Sequence, residues 1–310
     1  APLLGADGLA ADHRLDALLV AAPPARPLDA HPAVVLLQAW ALADPGRAAT
    51  ELSRLVRRLP GRPRLACDLE GGFVNPLRRF PALSGMPSAA RQSFGPPTGT
   101  GVWGERVGRQ MRSLGLDLCL GPVVDVGREG HLARQRRVFG DDPEVVVRHA
   151  AAYVEGLGRH GVGAILKHFP GYGRATTDSD EAPTVIEAPG AVLAADRAVF
   201  GRVSAAGVML SNARYPALDP RPAPLASPVV TLARTATRGV VVTDDLARLG
   251  RPVDEDVLRG AFLAGADLLV TSVRLDTVRP TFRRVVGELL RERPALWGRV
   301  DASVARIAAL

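Results

Sequence analysis

Eight short apolar runs, separated by longer amphipathic stretches, constrain the fold of this chain more than any other feature. Several runs are rich in Val, Leu and Ile without polar alternation, which is typical of strands buried on both faces. The stretches between them carry apolar residues at helical spacing. This alternation predicts an α/β fold, a (β/α)8 TIM-type barrel. The predicted strands are residues 17–20, 33–37, 64–68, 117–124, 162–167, 207–210, 239–243 and 267–270.

The length of 310 residues is ordinary for one barrel, which typically needs ~250 residues. Proline-rich pieces at 22–27 and 216–228 are short enough to be loops. We therefore expect a single domain over residues 1–310. Residues 2–6 compete with 17–20 for the first strand. The predicted helices are 101–114, 143–160, 191–206, 254–264 and 277–291, with a closing helix over 300–310 that Asp301 would cap.

Composition excludes several classes of protein. The net charge of +7 is spread along the chain without a run of four basic residues, so nucleic acid is not an expected partner. No apolar run reaches the ~18 residues of a membrane span, and the first residues lack the pattern of a signal peptide. Cys67 and Cys119 lie in apolar segments without CxxC spacing, which favours buried core thiols over a metal site. We expect a cytoplasmic monomer without metal or cofactor.

Lys167 is the only lysine among 39 basic residues, the others being arginine. The interpretation we favour is that this position needs a compact ammonium, which a planar guanidinium cannot replace.

Polar residues follow the predicted strands, at the face where a parallel barrel carries its active site. Such a ring of charged and amide side chains suits a hydroxyl-rich ligand. Simpler interpretations exist, since Asp245 could cap a helix, Asp68 or Asp125 could pair with an arginine, and a lone His168 could be structural. The residues at strand ends are Asp68, Glu70, Asp125, Arg137, Lys167, His168, Ser211, Asn212, Asp244 and Asp245.

At these positions the sequence resembles family 3 glycoside hydrolases, specifically the single-domain β-N-acetylglucosaminidases of the peptidoglycan-recycling type. Residues 68–72 resemble the family's D-x-E-G-G, 137–143 its R-S-F-G-x-D-P, and 243–246 its S-D-D-L, while 167–171 match its K-H-F-P-G. Residues 301–307 resemble its closing helix. The similarity covers about residues 30–310, in order.

The resemblance implies removal of terminal β-linked N-acetylglucosamine by a retaining mechanism, with Asp244 as the nucleophile. It implies that Lys167 and Arg137 keep Asp244 ionised by lowering its pKa. The acid/base would come from the loop after residue 171, with Asp178 and Asp180 as candidates. The residues implied to hold the sugar are Asp68, Arg137, Lys167, His168 and Asn212.

The acid/base loop departs from the family pattern. Asp180 stands where the family's D-S-H has its catalytic histidine, and Tyr172 replaces another histidine. Asp180 can serve as an acid if burial or Asp178 raises its pKa, and Glu181 is a neighbouring candidate. Asn212 also replaces a histidine, and Phe73 and Pro76 replace two arginines.

Three hypotheses follow. The first is an active retaining glycosidase with an altered acid/base. The second is a degenerate barrel that binds a sugar or muropeptide without efficient turnover. The third is a Schiff-base aldolase that uses Lys167. Neither the exact sugar nor the choice between hydrolysis and phosphorolysis follows from the sequence.

Overall fold

The computed structural model describes residues 11–310 and contains a parallel sheet of eight strands with the order β10-β1-β2-β3-β4-β5-β6-β9. A parallel bridge between Val242 and Leu268 links the two outer strands and closes the sheet into a barrel. A small antiparallel hairpin, β7–β8, lies outside it. The strands are β1 (Leu19–Ala22), β2 (Val34–Leu36), β3 (Arg64–Asp68), β4 (Leu118–Val123), β5 (Gly163–Phe169), β6 (Gly207–Leu210), β7 (Arg214–Tyr215), β8 (Asp219–Pro222), β9 (Val240–Val242) and β10 (Leu269–Arg274).

All eight predicted barrel strands are confirmed, with ends that differ by a few residues. The first strand is the run at 17–20, displaced to Leu19–Ala22 because a short helix occupies the residues before it. The competing segment, residues 2–6, lies outside the described residues. Every residue of β1, β4 and β9 is buried, as continuous apolar strands between a packed interior and surrounding helices must be.

Helices surround the barrel, and each of the five predicted between strands is present. The predicted helix 191–206 is shorter than expected, because it ends at Ala198 and continues as a 3-10 turn. The helices are α1 (Ala11–Ala17), α2 (Ala39–Leu42), α3 (Ala48–Val56), α4 (Ala89–Gln92), α5 (Pro97–Ser113), α6 (His131–Arg134), α7 (Pro143–Gly158), α8 (Gly190–Ala198), α9 (Ser227–Ala236), α10 (Glu255–Ala264), α11 (Leu275–Glu292) and α12 (Leu296–Ala308). Short 3-10 turns are Val199–Arg202, Ala223–Leu225 and Leu246–Arg248.

The prediction that Asp301 caps the closing helix is wrong. Helix α12 begins at Leu296, so Asp301 lies inside it. The buried side chain of Val300 lies at helical spacing from Val304 and Ile307, so packing against the core extends the helix backwards beyond Asp301. The Asp301 carboxylate instead accepts a hydrogen bond of 2.6 Å from Arg14 of α1.

Helices α5 and α7 approach each other at backbone contact. A Cβ atom on Gly104 would lie 2.4 Å from the carbonyl oxygen of Tyr153, and one on Gly156 would lie 2.5 Å from that of Gly101. Glycine is therefore required where the two helices meet. This contact holds together the helices that lead into β4 and β5, which carry several residues of the site below.

Candidate active site

A cavity of about 520 Å³ opens at the carboxyl ends of the strands, which is a size typical of small-ligand sites. The predicted site residues that line it come from strands β3 and β5 and from the loops after β4, β5 and β9. They are Asp68, Arg137, Lys167, His168, Asp178, Asp180 and Asp244. The predicted convergence of these side chains on one face is therefore present.

The ammonium of Lys167 lies between two carboxylates. Its Nζ is 2.6 Å from Asp68 Oδ1 and 2.7 Å from Glu70 Oε1, and the side chain is only 3% exposed. Burial alone would lower the pKa of Lys167, but the two carboxylates raise it above its usual value. A compact ammonium fits this position, in agreement with the retention of a single lysine. A Schiff-base nucleophile needs a lowered pKa, so the geometry argues against the aldolase hypothesis.

Glu70 joins this lysine to Arg137. The guanidinium donates two hydrogen bonds of 2.8 Å to the Glu70 carboxylate, from Nε and Nη2. Burial raises the pKa of Glu70, but Lys167 and Arg137 outweigh it and lower the pKa to about 2. Glu70 was noted at the end of the third predicted strand, but no role in the site was predicted for it. Its position two residues after Asp68, which places both side chains on one face of an extended chain, is the signal that could have identified it.

His168 is oriented by a buried carboxylate. Asp125 is fully buried, and its Oδ2 accepts from the His168 backbone N–H at 3.0 Å and lies 2.8 Å from His168 Nδ1. An imidazole held at Nδ1 in this way presents its other nitrogen, Nε2, for a ligand. The peptide bond between Lys167 and His168 is cis, and both side chains line the cavity. Asp125 therefore pairs with a histidine and not with an arginine.

Asp244 follows β9 at the wall of the cavity. Its Oδ1 accepts a hydrogen bond of 2.8 Å from the backbone N–H of Asp245. Burial raises the pKa of Asp244 to about 6, while His168 and Lys167 lower it by less than burial raises it. The expectation that Lys167 and Arg137 hold this pKa low is therefore wrong, because both cations lie against Glu70. A carboxyl group with a pKa of about 6 is still mainly ionised at pH 7.

The loop after β5 brings Asp178 and Asp180 to the rim of the cavity. Asp180 is exposed there, yet partial burial and the neighbouring Asp178 raise its pKa, against the opposing influence of Arg248 and His168. The Asp178 Oδ1 accepts a hydrogen bond of 3.0 Å from the Asp180 backbone N–H. A carboxylic acid that acts as proton donor at this position needs a raised pKa, and the pKa of Asp180 is raised.

Tyr172 is buried and supports the same loop. Its hydroxyl donates to the Thr177 carbonyl at 2.8 Å and accepts from the Ser179 backbone N–H at 2.7 Å. The tyrosine therefore fixes the segment that leads to Asp180. Glu181, the neighbouring candidate, is exposed and does not line the cavity.

Asn212 does not line the cavity, which corrects the expectation that it contacts a ligand directly. It is buried, and its amide donates to the Asp245 carbonyl at 2.8 Å. The Asp245 carboxylate accepts from the backbone N–H groups of Ala247 and Ser272, at 3.0 and 2.8 Å. Asp245 thus caps the 3-10 turn after β9, as the simpler interpretation proposed. Both residues support the backbone beside Asp244.

Residues 11–310 contain no candidate metal site, since no group of three or more His, Cys, Asp or Glu side chains in this range is arranged to hold a metal ion. None of the helices over the same residues has the length and apolar character needed to cross a membrane. Cys67 and Cys119 are both buried and unpaired within this range, on neighbouring positions of β3 and β4.

A closed barrel with a charged cavity at the carboxyl ends of its strands defines the class of this protein as a TIM-barrel protein with a site for a small polar ligand. The model of the glycosyl hydrolase family 3 N-terminal domain matches residues 43–310. The chain therefore belongs to glycosyl hydrolase family 3, through that domain.

Known proteins with similar sequences and structures agree with this membership. A beta-hexosaminidase of Xanthomonas campestris pv. campestris is 36% identical over 219 residues, which are 63% of each chain. The alignment thus spans less than two thirds of that relative. The crystal structure of a beta-N-acetylhexosaminidase from Beutenbergia cavernae superposes with a TM-score of 0.86 at 26% identity, covering 97% of this chain and 98% of the other. For LpqI of M. tuberculosis the TM-score is 0.84 at 28% identity, with coverages of 97% and 93%.

Proposed function

We propose that this chain is a retaining β-N-acetylhexosaminidase that removes terminal β-linked N-acetylglucosamine from a muropeptide or chitooligosaccharide. The observation that carries the proposal is the position of Asp244, a half-buried carboxylate in the wall of a cavity that Lys167 and His168 also line. The names of the similar proteins, which are beta-hexosaminidases, support the substrate class.

The sugar would be held by groups that are already fixed. Asp68 is the half-exposed partner of Lys167, with 49% of its side chain accessible, so its carboxylate can accept hydrogen bonds from sugar hydroxyls. His168, held by Asp125, and Arg137, held by Glu70, offer donors on the same wall. Groups whose orientation is set before binding lose little freedom when the sugar arrives.

In the first step an oxygen of Asp244 attacks the anomeric carbon, and the bond from that carbon to the departing oxygen breaks. Asp180 gives its proton to that oxygen, so that a neutral alcohol leaves. In the second step water attacks the same carbon, its proton passes to Asp180, and the bond to Asp244 breaks. The ionised state of Asp244 and the raised pKa of Asp180 match these two roles.

A second candidate function is sugar binding without efficient turnover. The observation that favours it is the exposure of Asp180 at the rim, since an exposed carboxyl group is a weaker acid catalyst at neutral pH than an imidazolium. The two functions differ in whether the protein donates a proton to the leaving group efficiently enough for turnover.

The test compares two β-N-acetylglucosaminides, an aryl glycoside with an activated leaving group and an alkyl glycoside without one. The wild type should release the aryl group, and Asp244→Asn should abolish the release. The control variant is Asp256→Asn, the same change at a carboxylate that is 82% exposed on α10, away from the cavity. It should retain the wild-type rate.

The introduction of histidine by Asp180→His reports on the acid. A gain on the alkyl glycoside, without a gain on the aryl glycoside, would show that proton donation limits the natural protein. Binding of N-acetylglucosamine without hydrolysis of either glycoside would support the second function. Hydrolysis that survives in Asp244→Asn would contradict the proposal.

A further inference from the structure

The loop that carries Asp178 and Asp180 lies directly against the segment after β4. A Cβ atom on Gly130 would lie 2.0 Å from the carbonyl oxygen of Gly173, and one on Gly173 would lie 2.1 Å from that of Val126. Side chains are therefore excluded from the contact, and the two backbones touch. The short helix α6 begins immediately after Gly130.

Helix α6 holds the loop through two hydrogen bonds to its backbone. The backbone N–H of His131 donates to the Ala175 carbonyl at 2.6 Å, and Arg134 Nη2 donates to the Thr176 carbonyl at 2.6 Å. Both bonds fix the path of the loop before residue 178. Neither of them involves a carboxylate of the loop.

The side chain of His131 makes a different kind of contact. Its Nε2 lies 3.0 Å from Asp178 Oδ2, with 16% and 23% of the two side chains exposed. The approach is close, but it is not aligned as a hydrogen bond, and Nε2 is buried without another partner among residues 11–310. Buried polar atoms in native structures are nearly always paired, and contacts between catalytic groups often align only when substrate binds.

Asp178 is thus held from both sides. One oxygen lies against His131, and the other accepts the backbone N–H of Asp180 at 3.0 Å. Asp178 lines the cavity, whereas His131 does not. The contact with Asp178 therefore connects the imidazole to the wall of the cavity.

We propose that His131 is a positioning residue for the acid/base loop, which holds the Asp178 carboxylate beside Asp180 from a neighbouring loop of the barrel. This inference rests on the proposed function and identifies a group that serves its proton-donating step. No local pattern indicates this role, because His131 lies 47 positions before Asp178 and only the fold brings them together.

The consequence concerns the proton on Asp180. The charge of Asp178 raises the pKa of Asp180, together with burial and Asp245, while Arg248 and His168 lower it. Asp180 and Asp244 also interact, since the charge of Asp180 raises the pKa of Asp244. If Asp178 rotates away from its position, Asp180 loses one of the charges that raise its pKa, so its proton is lost at a lower pH.

The test uses His131→Gln, with Arg134→Gln as the matched control. The control removes a hydrogen bond from α6 to the loop but leaves the contact with Asp178 intact. The measurements are kcat/KM as a function of pH, on the aryl and alkyl β-N-acetylglucosaminides described above. Hydrogen exchange of residues 172–181 reports separately on the order of the loop.

His131→Gln should lower kcat/KM on the alkyl glycoside by roughly 10- to 100-fold, because the variant loses part of the contribution of the general acid. On the aryl glycoside, whose leaving group needs little protonation, kcat/KM should change by less than about 3-fold. The alkaline limb of the pH profile should move to lower pH. Arg134→Gln should loosen the loop, affect both substrates equally and leave the limb in place.

Equal loss on both substrates in His131→Gln, or an alkaline limb that does not move, would overturn the inference and leave His131 as an anchor of the loop. That outcome differs from a failure of the proposed function, in which the wild type cleaves neither glycoside or cleaves them without Asp244. In the latter case the inference falls with the function on which it rests.

Discussion

Replacement of the Asp244 carboxylate by an amide should make the protein more stable while it removes activity. Burial raises the pKa of this group from an ordinary value of 3.8 to about 6. The folded state therefore disfavours the charged form relative to the unfolded chain. The hydrogen bond from the Asp245 backbone N–H to Oδ1 can be retained by the amide oxygen of asparagine.

The magnitude follows from the shift in pKa. A carboxyl group whose pKa is raised on folding contributes most at a pH below its unfolded value, and the contribution is lost as the pH rises through the folded value. A shift of about two units corresponds to about 3 kcal/mol at pH 7.5, an upper limit since asparagine only approximates the neutral acid. For a chain of this size such a change raises Tm by roughly 5 °C.

The assay is thermal unfolding of the wild type and Asp244→Asn between pH 4.5 and 8, with Asp256→Asn as the control at an exposed site. The Tm of Asp244→Asn should exceed that of the wild type above pH 6, and the difference should shrink to about a third of its value as the pH falls to 4.5. The control should follow the wild type throughout. An Asp244→Asn variant that is equally or less stable at pH 7.5 would refute the reasoning.

Three further predictions follow from the site and the packing. Lys167→Met should lower the free energy of unfolding by about 1.5–3 kcal/mol in urea titrations, because the buried Glu70 carboxylate then keeps only Arg137 as a partner, and Lys167→Arg should not restore the wild-type value. Hydrolysis of the aryl glycoside should decline as the pH falls below about 6, as Asp244 takes up a proton; a rate that stays constant down to pH 4.5 would count against Asp244 as the nucleophile. Gly104→Ala should destabilise the fold by about 1–3 kcal/mol, since its Cβ would meet the Tyr153 carbonyl, whereas Gly99→Ala on the same helix meets nothing within 4 Å and should not be destabilising in the same titration.

The barrel could be predicted from the sequence because buried parallel strands leave a local signal, namely short runs of Val, Leu and Ile. The residues after each run then had to meet at one end of the barrel, and the cavity contains most of those that were predicted. The end of a helix was harder to place, as Asp301 illustrates, because packing of Val300 against the core extends α12 backwards beyond the expected cap.

Other features of the site depend on distances that only the folded chain defines. Glu70 takes both Lys167 and Arg137 as partners, so neither cation is available to pair with Asp244, and burial then decides the pKa of the nucleophile candidate. Asn212 follows β6 as predicted but turns away from the cavity towards the Asp245 carbonyl. The contact between His131 and Asp178 joins two loops that are distant in sequence, and no local pattern indicates it.

The position of the single lysine has a practical consequence. Reagents that acylate amines ordinarily modify many surface lysines of a protein, but here the one side-chain amine is 3% exposed and held between two carboxylates. The outer surface of the folded chain therefore offers guanidinium groups but no lysine ammonium. Acylation of a side-chain amine would require the barrel mouth to loosen, so modification of Lys167 would serve as a direct chemical reporter of local opening at the cavity.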